Sequence, residues 1–238
     1  RQMCIRDRFG FLPLIAGTLW VSLFAILFAL PFGLSVSIYM SEVANPKVRS
    51  WLKPIIELLS GIPSVVYGFF GLIVIVPLIQ KLFDLPVGES GLAGSIVLAI
   101  MALPTIITVT EDAMRNCPRA MREASLALGA SQWQTIYKVV IPYSISGITS
   151  GVVLGIGRAI GETMAVLMVT GNAAVIPTTI LEPLRTIPAT IAAELGEAPA
   201  GGPHYQALFM LGVVLFFITL IINFSVEYIS SKGLKRSK

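Results

Sequence analysis

Five long apolar segments constrain what this chain can fold into. Each is near or above the roughly 20 residues that a helix needs to cross the hydrocarbon core of a membrane. We place them at about 11–40, 55–83, 92–109, 143–169 and 206–229. Backbone groups in lipid must find partners inside the protein, so each segment should be helical, and continuous apolar runs exclude a β-barrel. The predicted fold class is an all-α membrane protein, a polytopic helical bundle of five spans.

The composition agrees with a membrane protein and excludes several other classes. The 238 residues are 55% hydrophobic and 13% charged, with a mean hydropathy of +0.84, whereas a soluble domain is about 25% charged. With one histidine and two distant cysteines, Cys4 and Cys117, we expect no metal site and no disulfide. The net charge of +4 follows from basic loops, so we expect contact with the lipid bilayer and not with nucleic acid.

Lysines and arginines indicate how the segments are oriented, because cytoplasmic loops are enriched in them. They collect in the loops after the first and third segments and in the C-terminal tail. We therefore expect a multi-pass protein of a bacterial or archaeal plasma (inner) membrane with a cytoplasmic C-terminus. The basic residues on the cytoplasmic side would be Lys47, Arg49, Lys53, Arg115, Arg119, Arg122, Lys138, Lys232, Lys235, Arg236 and Lys238.

The chain divides into a leader, one membrane domain and a tail. We assign residues 1–10 to a truncated or non-native leader, 11–230 to the transmembrane domain and 231–238 to a basic cytoplasmic tail. Within the domain, a cytoplasmic loop covers about 113–140 and an outer loop about 171–205. The leader is basic although it should lie outside the cell. An upstream span is therefore missing, or the leader is a genuine basic extracellular segment.

The polar loop between the third and fourth segments has the length of a helix-turn-helix. Glu123-Ala124-Ser125 predicts a short helix to Leu128, which Gly129 would end in a left-handed conformation. Ser131 can cap a second helix that starts near Trp133. Pro142 then falls in the first turn of the next span, where its missing N–H costs little. The alternative is an ordinary amphipathic loop at the membrane interface.

The second apolar segment contains the run Ser60, Gly61, Ile62, Pro63 and Ser64. A proline inside a helix removes a hydrogen bond. The run could open the span into non-helical backbone that lines a polar cavity, as broken helices do in transporters. It could equally be a kink that serves packing, and both interpretations remain open.

Two charged residues, Arg158 and Glu162, lie deep in the fourth segment, where isolated charges cost a few kcal/mol each. Their i,i+4 spacing allows them to pair on one helix face, and Thr163 adds a hydroxyl nearby. The same face carries a row of glycines that would let another helix approach closely. The pair is either a structural salt bridge or part of a path on which Arg158 binds an oxyanion. The glycines are Gly147, Gly151 and Gly155.

Other polar residues have simpler expected roles. Glu111 and Asp112 should lie at the membrane interface where the third segment closes. Either snorkelling or a contact with Lys53 would account for Glu57, just inside the second segment. His204 is expected to be solvated in the outer loop. The stretch 186–195 is amphipathic and predicts a surface helix rather than a sixth span.

These motifs resemble those of a known family. The Glu123 loop resembles the EAA loop of ABC importer permeases. Residues 56–68 and 157–166 resemble the corresponding segments of phosphate-specific permeases of the PstC type, and the likeness extends over 10–235. The chain departs from the family in Ser125, where a second alanine is usual, and in lacking an extra first span.

The resemblance implies the MetI-like fold of type I ABC importer permeases and a subunit that forms half of a phosphate pathway. Glu123, Ala124, Ser125, Gly129 and Pro142 would match the ATPase-coupling positions. Arg158 and Glu162 would match the family's intramembrane charged positions, and Thr163 would join them in the substrate pathway. The expected partners are a PstA-like permease, two PstB-like ATPase subunits and an extracytoplasmic PstS-like phosphate-binding protein.

We expect no catalytic residues in this chain. It has no G-x-x-x-x-G-K-[ST] phosphate loop, so it should bind no cofactor, and the partner ATPase would use ATP and Mg²⁺. Two alternatives remain open: an ABC importer permease for another oxyanion such as molybdate or sulfate, and an ion-driven secondary transporter. A membrane-embedded enzyme is disfavoured, because the spans offer no nucleophile–base pair and no set of metal ligands.

Overall fold

A computed structural model describes residues 10–236, and the side chains of residues 10–228. The predicted leader and the side chains of the predicted basic tail therefore lie outside the described residues. The described part is helical apart from loops and one isolated bridge between Gly171 and Leu184, which confirms the all-α prediction. Its α-helices are α1 (Leu12–Ile38), α2 (Pro46–Ser60), α3 (Ser64–Phe70), α4 (Val76–Leu82), α5 (Gly91–Arg115), α6 (Arg119–Ala127), α7 (Gln132–Thr135), α8 (Ile141–Gly161), α9 (Met164–Val169), α10 (Ile187–Glu194) and α11 (Pro203–Arg236).

Within residues 10–236, five helical stretches are long and apolar enough to cross a membrane, in agreement with the predicted number. They are Leu12–Val43, Ser64–Leu82, Gly91–Arg115, Gln132–Gly161 and Pro203–Tyr228. The first and last agree with the predicted segments within a few residues. The third runs six residues beyond its predicted end at 109, so it includes Glu111 and Asp112.

The second span begins later than predicted. Residues 55–60 belong to the separate amphipathic helix α2, which ends at Ser60, and a new helix starts at Ser64. Pro63 between them has extended backbone, with φ −58° and ψ 140°. A proline disfavours helical geometry in the residue before it and lacks the N–H that would continue the ladder. The Ser60–Ser64 run is therefore a break in the helix and not a kink.

Two other intramembrane prolines follow π-helical turns. Gly71–Ile75 lies just before Pro77, and Ile136–Val140 lies just before Pro142. A proline ring clashes with the carbonyl four residues earlier in a regular α-helix. The wider π turn accommodates that carbonyl, so the chain continues as a helix on either side. Pro142 therefore stands in the first turn of α8, as predicted, although the helical stretch already begins at Gln132.

The fourth span differs from its prediction at both ends. It starts in the polar loop at Gln132 and ends at Gly161, rather than running from 143 to 169. Glu162 and Thr163 form a short non-helical break, and α9 follows from Met164.

The chain forms two compact units, and several long helices contribute residues to both. The first unit contains 10–28, Ile62–Met101 and Arg158–Leu220. Its main core is built from α1, α3, α4, α5, α8 and α9, and α3 packs closely on α9. The buried residues of this core are Val21, Ala25, Tyr67, Val76, Ile79, Ala93, Val97, Leu98, Met101, Ala159, Ala165, Val166, Val169 and Leu184.

The outer segment of the first unit covers the N-terminus of α5. The amides of Gly91 and Leu92 donate to the carbonyls of Glu182 and Ile180 at 3.0 and 2.7 Å. These contacts satisfy N–H groups that a helix N-terminus leaves without partners. The segment then enters α10, which confirms the predicted helix at 186–195, although its first turn is buried rather than on the surface.

The second unit contains Ala29–Gly61, Ala102–Gly157 and 221–236. Apolar clusters in its described part centre on Met114 and on Met40. Here α8 packs on α5 through the predicted row of glycines. A Cβ on Gly155 would lie 2.7 Å from the side chain of Ile106, closer than real Cβ contacts allow. Because small residues permit this approach, the glycine face of α8 meets protein and not lipid.

Candidate functional site

The polar loop opens with helix α6, whose end has the predicted geometry. Gly129 has a φ of +85°, which confirms the left-handed conformation. The amide of Ala130 donates to Ser125 O at 3.2 Å, and the amide of Gly129 donates to Leu126 O at 2.9 Å. This pair of bonds is a Schellman motif, which satisfies the last carbonyls of a helix. The helix starts at Arg119, four residues before the predicted start at Glu123.

The second helix of the loop is capped as the sequence predicts. Ser131 Oγ accepts from the amide of Gln134 at 3.2 Å, and Gln134 Oε1 accepts from the amide of Ser131 at 2.8 Å. This reciprocal capping box fixes the start of α7 at Gln132. The predicted start near Trp133 was one residue late.

Ser125 joins the two helices of the loop. Its hydroxyl lies 3.0 Å from Thr135 Oγ1 in α7, and Thr135 is buried. An alanine at this position could not make the contact. The hydroxyl therefore gives a structural reason for the departure from the alanine that is usual in the resembling family.

The loop exposes large apolar side chains that the sequence reasoning did not single out. Leu128 is 90% exposed, and the stacked rings of Trp133 and Tyr137 are 58% and 63% exposed. Glu123 and Ala124 are exposed beside them in the chain. An exposed apolar patch rimmed by polar residues is typical of a protein–protein contact. The available signal was the presence of bulky apolar residues in a loop that is rich in polar and small residues.

The sequence reasoning also missed how the loop is anchored. Arg122 Nη2 lies 2.9 Å from a carboxylate oxygen of Glu42 and donates to the carbonyl of Met114 at 2.9 Å. Gln132 Nε2 donates to the backbone carbonyl of Glu42 at 3.3 Å. The partners are far apart in the chain, so no local pattern indicated these contacts.

A second ionic group connects α2 to the end of α5. The Glu111 side chain is 1% exposed and lies 2.6 Å from Arg49 and 3.0 Å from Lys53. The interfacial position predicted for Glu111 stays a prediction, and two cations from α2 compensate the burial of its carboxylate. Asp112 is 54% exposed, as expected, and also pairs with Lys53. Lys53 thus serves these two carboxylates rather than Glu57.

Lys53 has a raised pKa. Partial burial alone would lower the pKa of the ammonium group. The hydrogen bonds to Asp112 and Glu111 and their negative charges outweigh that effect together, and the pKa rises above its ordinary value of 10.5.

The predicted i,i+4 pairing of the intramembrane charges stays a prediction, and one of the two residues lies outside the helix. Arg158 is half-buried in α8, but the helix ends at Gly161, so Glu162 lies in the break after it. Glu162 Oε1 accepts from the amide of Ala165 at 3.3 Å and so serves the start of α9. Thr163 Oγ1 donates to Gly161 O at 3.3 Å within the same break.

A second helix start lies near this break within the first unit. Helix α3 begins at Ser64 after Pro63, and its Gly68 contacts Ala165 of α9. The buried Tyr67 of α3 interacts electrostatically with Arg158. The two helices that follow these breaks, α3 and α9, therefore pack side by side near Arg158. The other two residues of the predicted break, Ser60 and Gly61, end α2 in the second unit.

His204 is partly exposed, at 32%, and also has a charged neighbour that the sequence did not indicate. Its Nε2 lies 3.2 Å from a carboxylate oxygen of Glu194, which also pairs with Arg185 at 2.8 Å. This group links the start of α11 to the end of α10 in the first unit.

A family model that matches most of the sequence shows which family this chain belongs to. Residues 29–232, which contain the loop, the breaks and the intramembrane charges, match the family described as "Binding-protein-dependent transport system inner membrane component". This chain belongs to that family. It is therefore a multi-pass transport subunit of an inner membrane and not an enzyme, and it is a permease that works with ATPase and substrate-binding partners.

Two relatives of this permease share more than a third of its residues. It is 41% identical over 225 residues to "Probable ABC transporter permease protein YqgH" of Bacillus subtilis, covering 94% of this chain and 73% of that protein. It is 37% identical over 243 residues to "Phosphate transport system permease protein PstC" of Mesorhizobium japonicum, covering 94% and 74%. The permease spans about three quarters of the length of these relatives.

The permease also has the fold of a solved importer. It superposes with a TM-score of 0.74 on a chain of the MetNI methionine ABC transporter in an inward-facing conformation, covering 97% of this chain and 99% of that one. The two are 19% identical. This similarity confirms the predicted MetI-like fold and carries no information about the substrate.

Proposed function

We propose that this chain is the permease subunit of an ATP-driven phosphate importer, in which it forms half of the translocation pathway and receives force from a separate ATPase. The observation that carries the coupling role is the loop from Arg119 to Tyr137. Its backbone is fixed by a Schellman motif and a capping box, while its largest apolar side chains are exposed. A rigid loop with an exposed apolar surface is suited to bind another protein.

The proposed docking surface consists of Glu123, Ala124, Leu128, Trp133 and Tyr137. Ser125, Gly129 and Pro142 hold its shape: Ser125 joins the helices, Gly129 ends α6, and Pro142 starts α8. The ATPase that docks here would bind ATP and Mg²⁺, since this sequence contains no phosphate loop. ATP binding to that partner would shift the permease between inward-open and outward-open states through its different affinity for the two.

The proposed substrate contacts are Arg158, Glu162 and Thr163. A guanidinium suits phosphate because its planar fork donates two parallel hydrogen bonds to one oxyanion. Glu162 would orient the break through its bond to the amide of Ala165. Pro63 and Ser64 begin the neighbouring helix and are further pathway candidates, as are Ser60 and Gly61. The name of the Mesorhizobium relative supports phosphate as the anion.

The proposed assembly contains this chain, a PstA-like permease, two PstB-like ATPase subunits and a PstS-like phosphate-binding protein. The docking loop would face the cytoplasm together with the C-terminus, because the loops after spans one and three hold the basic residues. The binding protein would then approach the opposite side, where the acidic outer loops lie.

ATP hydrolysis by the purified complex tests this assignment. The complex should hydrolyse ATP several-fold faster when the binding protein carries phosphate than when it is empty. Sulfate and molybdate should give no stimulation. Stimulation by sulfate or molybdate alone would instead identify an importer of another oxyanion, and phosphate transport without any ATPase subunit would identify a secondary transporter.

A further inference from the structure

Glu42 is contacted by both helices of the docking loop. It lies in the π-helical turn Tyr39–Val43 that ends the first span. Its carboxylate pairs with Arg122 of α6, and its backbone carbonyl accepts from Gln132 of α7. The hydroxyl of Ser41 donates to the same carboxylate oxygen at 2.7 Å.

Packing alone does not hold α6 in place, since none of its residues is buried. Its contacts with the spans depend on polar side chains, and Arg122 makes two of them. One Nη2 atom serves both the Glu42 carboxylate and the carbonyl of Met114 in α5, each at 2.9 Å. The side chains of Glu42 and Arg122 are 8% and 24% exposed, so water screens the pair only partly.

The π turn determines the direction of the Glu42 side chain. The amide of Ala44 donates to Tyr39 O at 2.8 Å, which inserts an extra residue into the last turn of the span. Such turns occur frequently at functional sites, since they redirect the side chains that follow. Here the turn includes the carboxylate that Arg122 binds.

We propose that Glu42 is a positioning residue that transmits movement of the docking loop to the first span through Arg122. This inference rests on the proposed role of the loop in binding an ATPase. Glu42 lies outside the proposed docking surface, so the pair should affect the transfer of force and not the binding of the partner. Coupling between two sites is carried by contacts such as packed side chains and salt bridges. The charge-assisted contact between α6 and the first span is a contact of this kind.

The test uses the complete complex in proteoliposomes and measures phosphate transported per ATP hydrolysed. Glu42→Gln keeps the shape of the side chain and removes its charge. We expect it to lower the transport-to-hydrolysis ratio by at least about fivefold, the lower end of typical coupling between sites. Glu42→Asp should restore most of the ratio, because it retains the carboxylate. Glu57→Gln, which neutralises an exposed carboxylate of α2, is the matched control and should match wild type.

A double-mutant cycle with Arg122→Gln separates positioning from general stability. If the two residues act through each other, the double variant should be no worse than the poorer single variant. The proposal would be overturned if the fold-losses of the two single variants multiply in the double variant. It would also be overturned if the transport-to-hydrolysis ratio of Glu42→Gln lies within about twofold of wild type, because that effect is smaller than typical coupling between sites.

Capture of the ATPase subunit by the same variants distinguishes this proposal from the docking role. We expect Glu42→Gln to capture as much ATPase as wild type, while Leu128→Asp captures little. If Leu128→Asp captures a normal amount, the docking role of the loop is wrong. If Leu128→Asp captures little ATPase but Glu42→Gln has the same transport-to-hydrolysis ratio as wild type, the docking role stands and the inference about Glu42 is wrong.

Discussion

The carboxylate of Glu111 lies 2.6 Å from the guanidinium of Arg49, although its side chain is only 1% exposed. The contact joins helix α2 to the last turns of α5. Lys53 adds a second cation at 3.0 Å. The two cations of α2, together with Arg115 of α5 at 3.9 Å, replace the water that this buried carboxylate has lost.

Glu111→Gln should destabilise the protein. Breaking a buried ion pair costs about 3 kcal/mol or more, because the remaining charge loses its partner. The cost should be near the low end, since Lys53 keeps its contact with Asp112. Thermal unfolding of the detergent-purified protein measures the change, with Glu57→Gln as the exposed control. Equal melting temperatures for Glu111→Gln and wild type would contradict the structural role of this group.

Lys53 should make part of the stability sensitive to alkaline pH. Its pKa in the folded protein is raised above 10.5, because hydrogen bonds to Asp112 and Glu111 outweigh the effect of burial. A raised folded-state pKa gives stability that is fully present below the unfolded pKa and is lost as pH rises through the folded pKa. The difference in melting temperature between wild type and Lys53→Met should therefore shrink above pH 10.5. A difference that stays constant through that range would show that the charge of Lys53 does not contribute.

Gly129 should tolerate asparagine better than alanine. No atom lies within 4 Å of the position a Cβ would take, so the cost comes from the φ of +85° alone. Left-handed backbone costs about 1 kcal/mol or more for most residues, and asparagine adopts it more readily. Gly129→Ala should weaken capture of the ATPase subunit, and Gly129→Asn should weaken it less. Equal capture by both variants and wild type would show that docking does not depend on this conformation.

The contrast between Gly129 and Glu111 shows what the sequence could predict. The five spans, the left-handed Gly129 and the Ser131 cap depend on residues close in the chain, and all were predicted. The burial of Glu111 depends on Arg49 and Lys53 in another helix, and no local pattern predicted these partners. Glu162 was misplaced because helical periodicity was extended through the break that follows Gly161. Local patterns predict elements and caps, whereas long-range partners and breaks inside apolar runs require the packed structure.

Arg158 should be required for transport and dispensable for assembly. Arg158→Gln removes the charge that would bind the oxyanion while leaving a shorter polar side chain, so phosphate uptake should fall to background. Arg158→Lys keeps the charge but not the planar fork, and it should retain partial uptake with a higher KM. Both variants should co-purify with the partner subunits. Wild-type uptake by Arg158→Gln would show that this arginine does not serve the pathway.

The central claim is that an ATPase docked on the loop drives phosphate through a path that this chain helps to form. Phosphate uptake into proteoliposomes that contain the complete complex, with ATP available to the ATPase subunits, tests this claim most directly. The wild-type complex should accumulate phosphate only with ATP, and Leu128→Asp should abolish this accumulation, because a charge at a side chain that is 90% exposed disrupts docking without disturbing the core. Uptake that continues without ATP, or ATP-driven uptake that is unchanged by Leu128→Asp, would contradict the account.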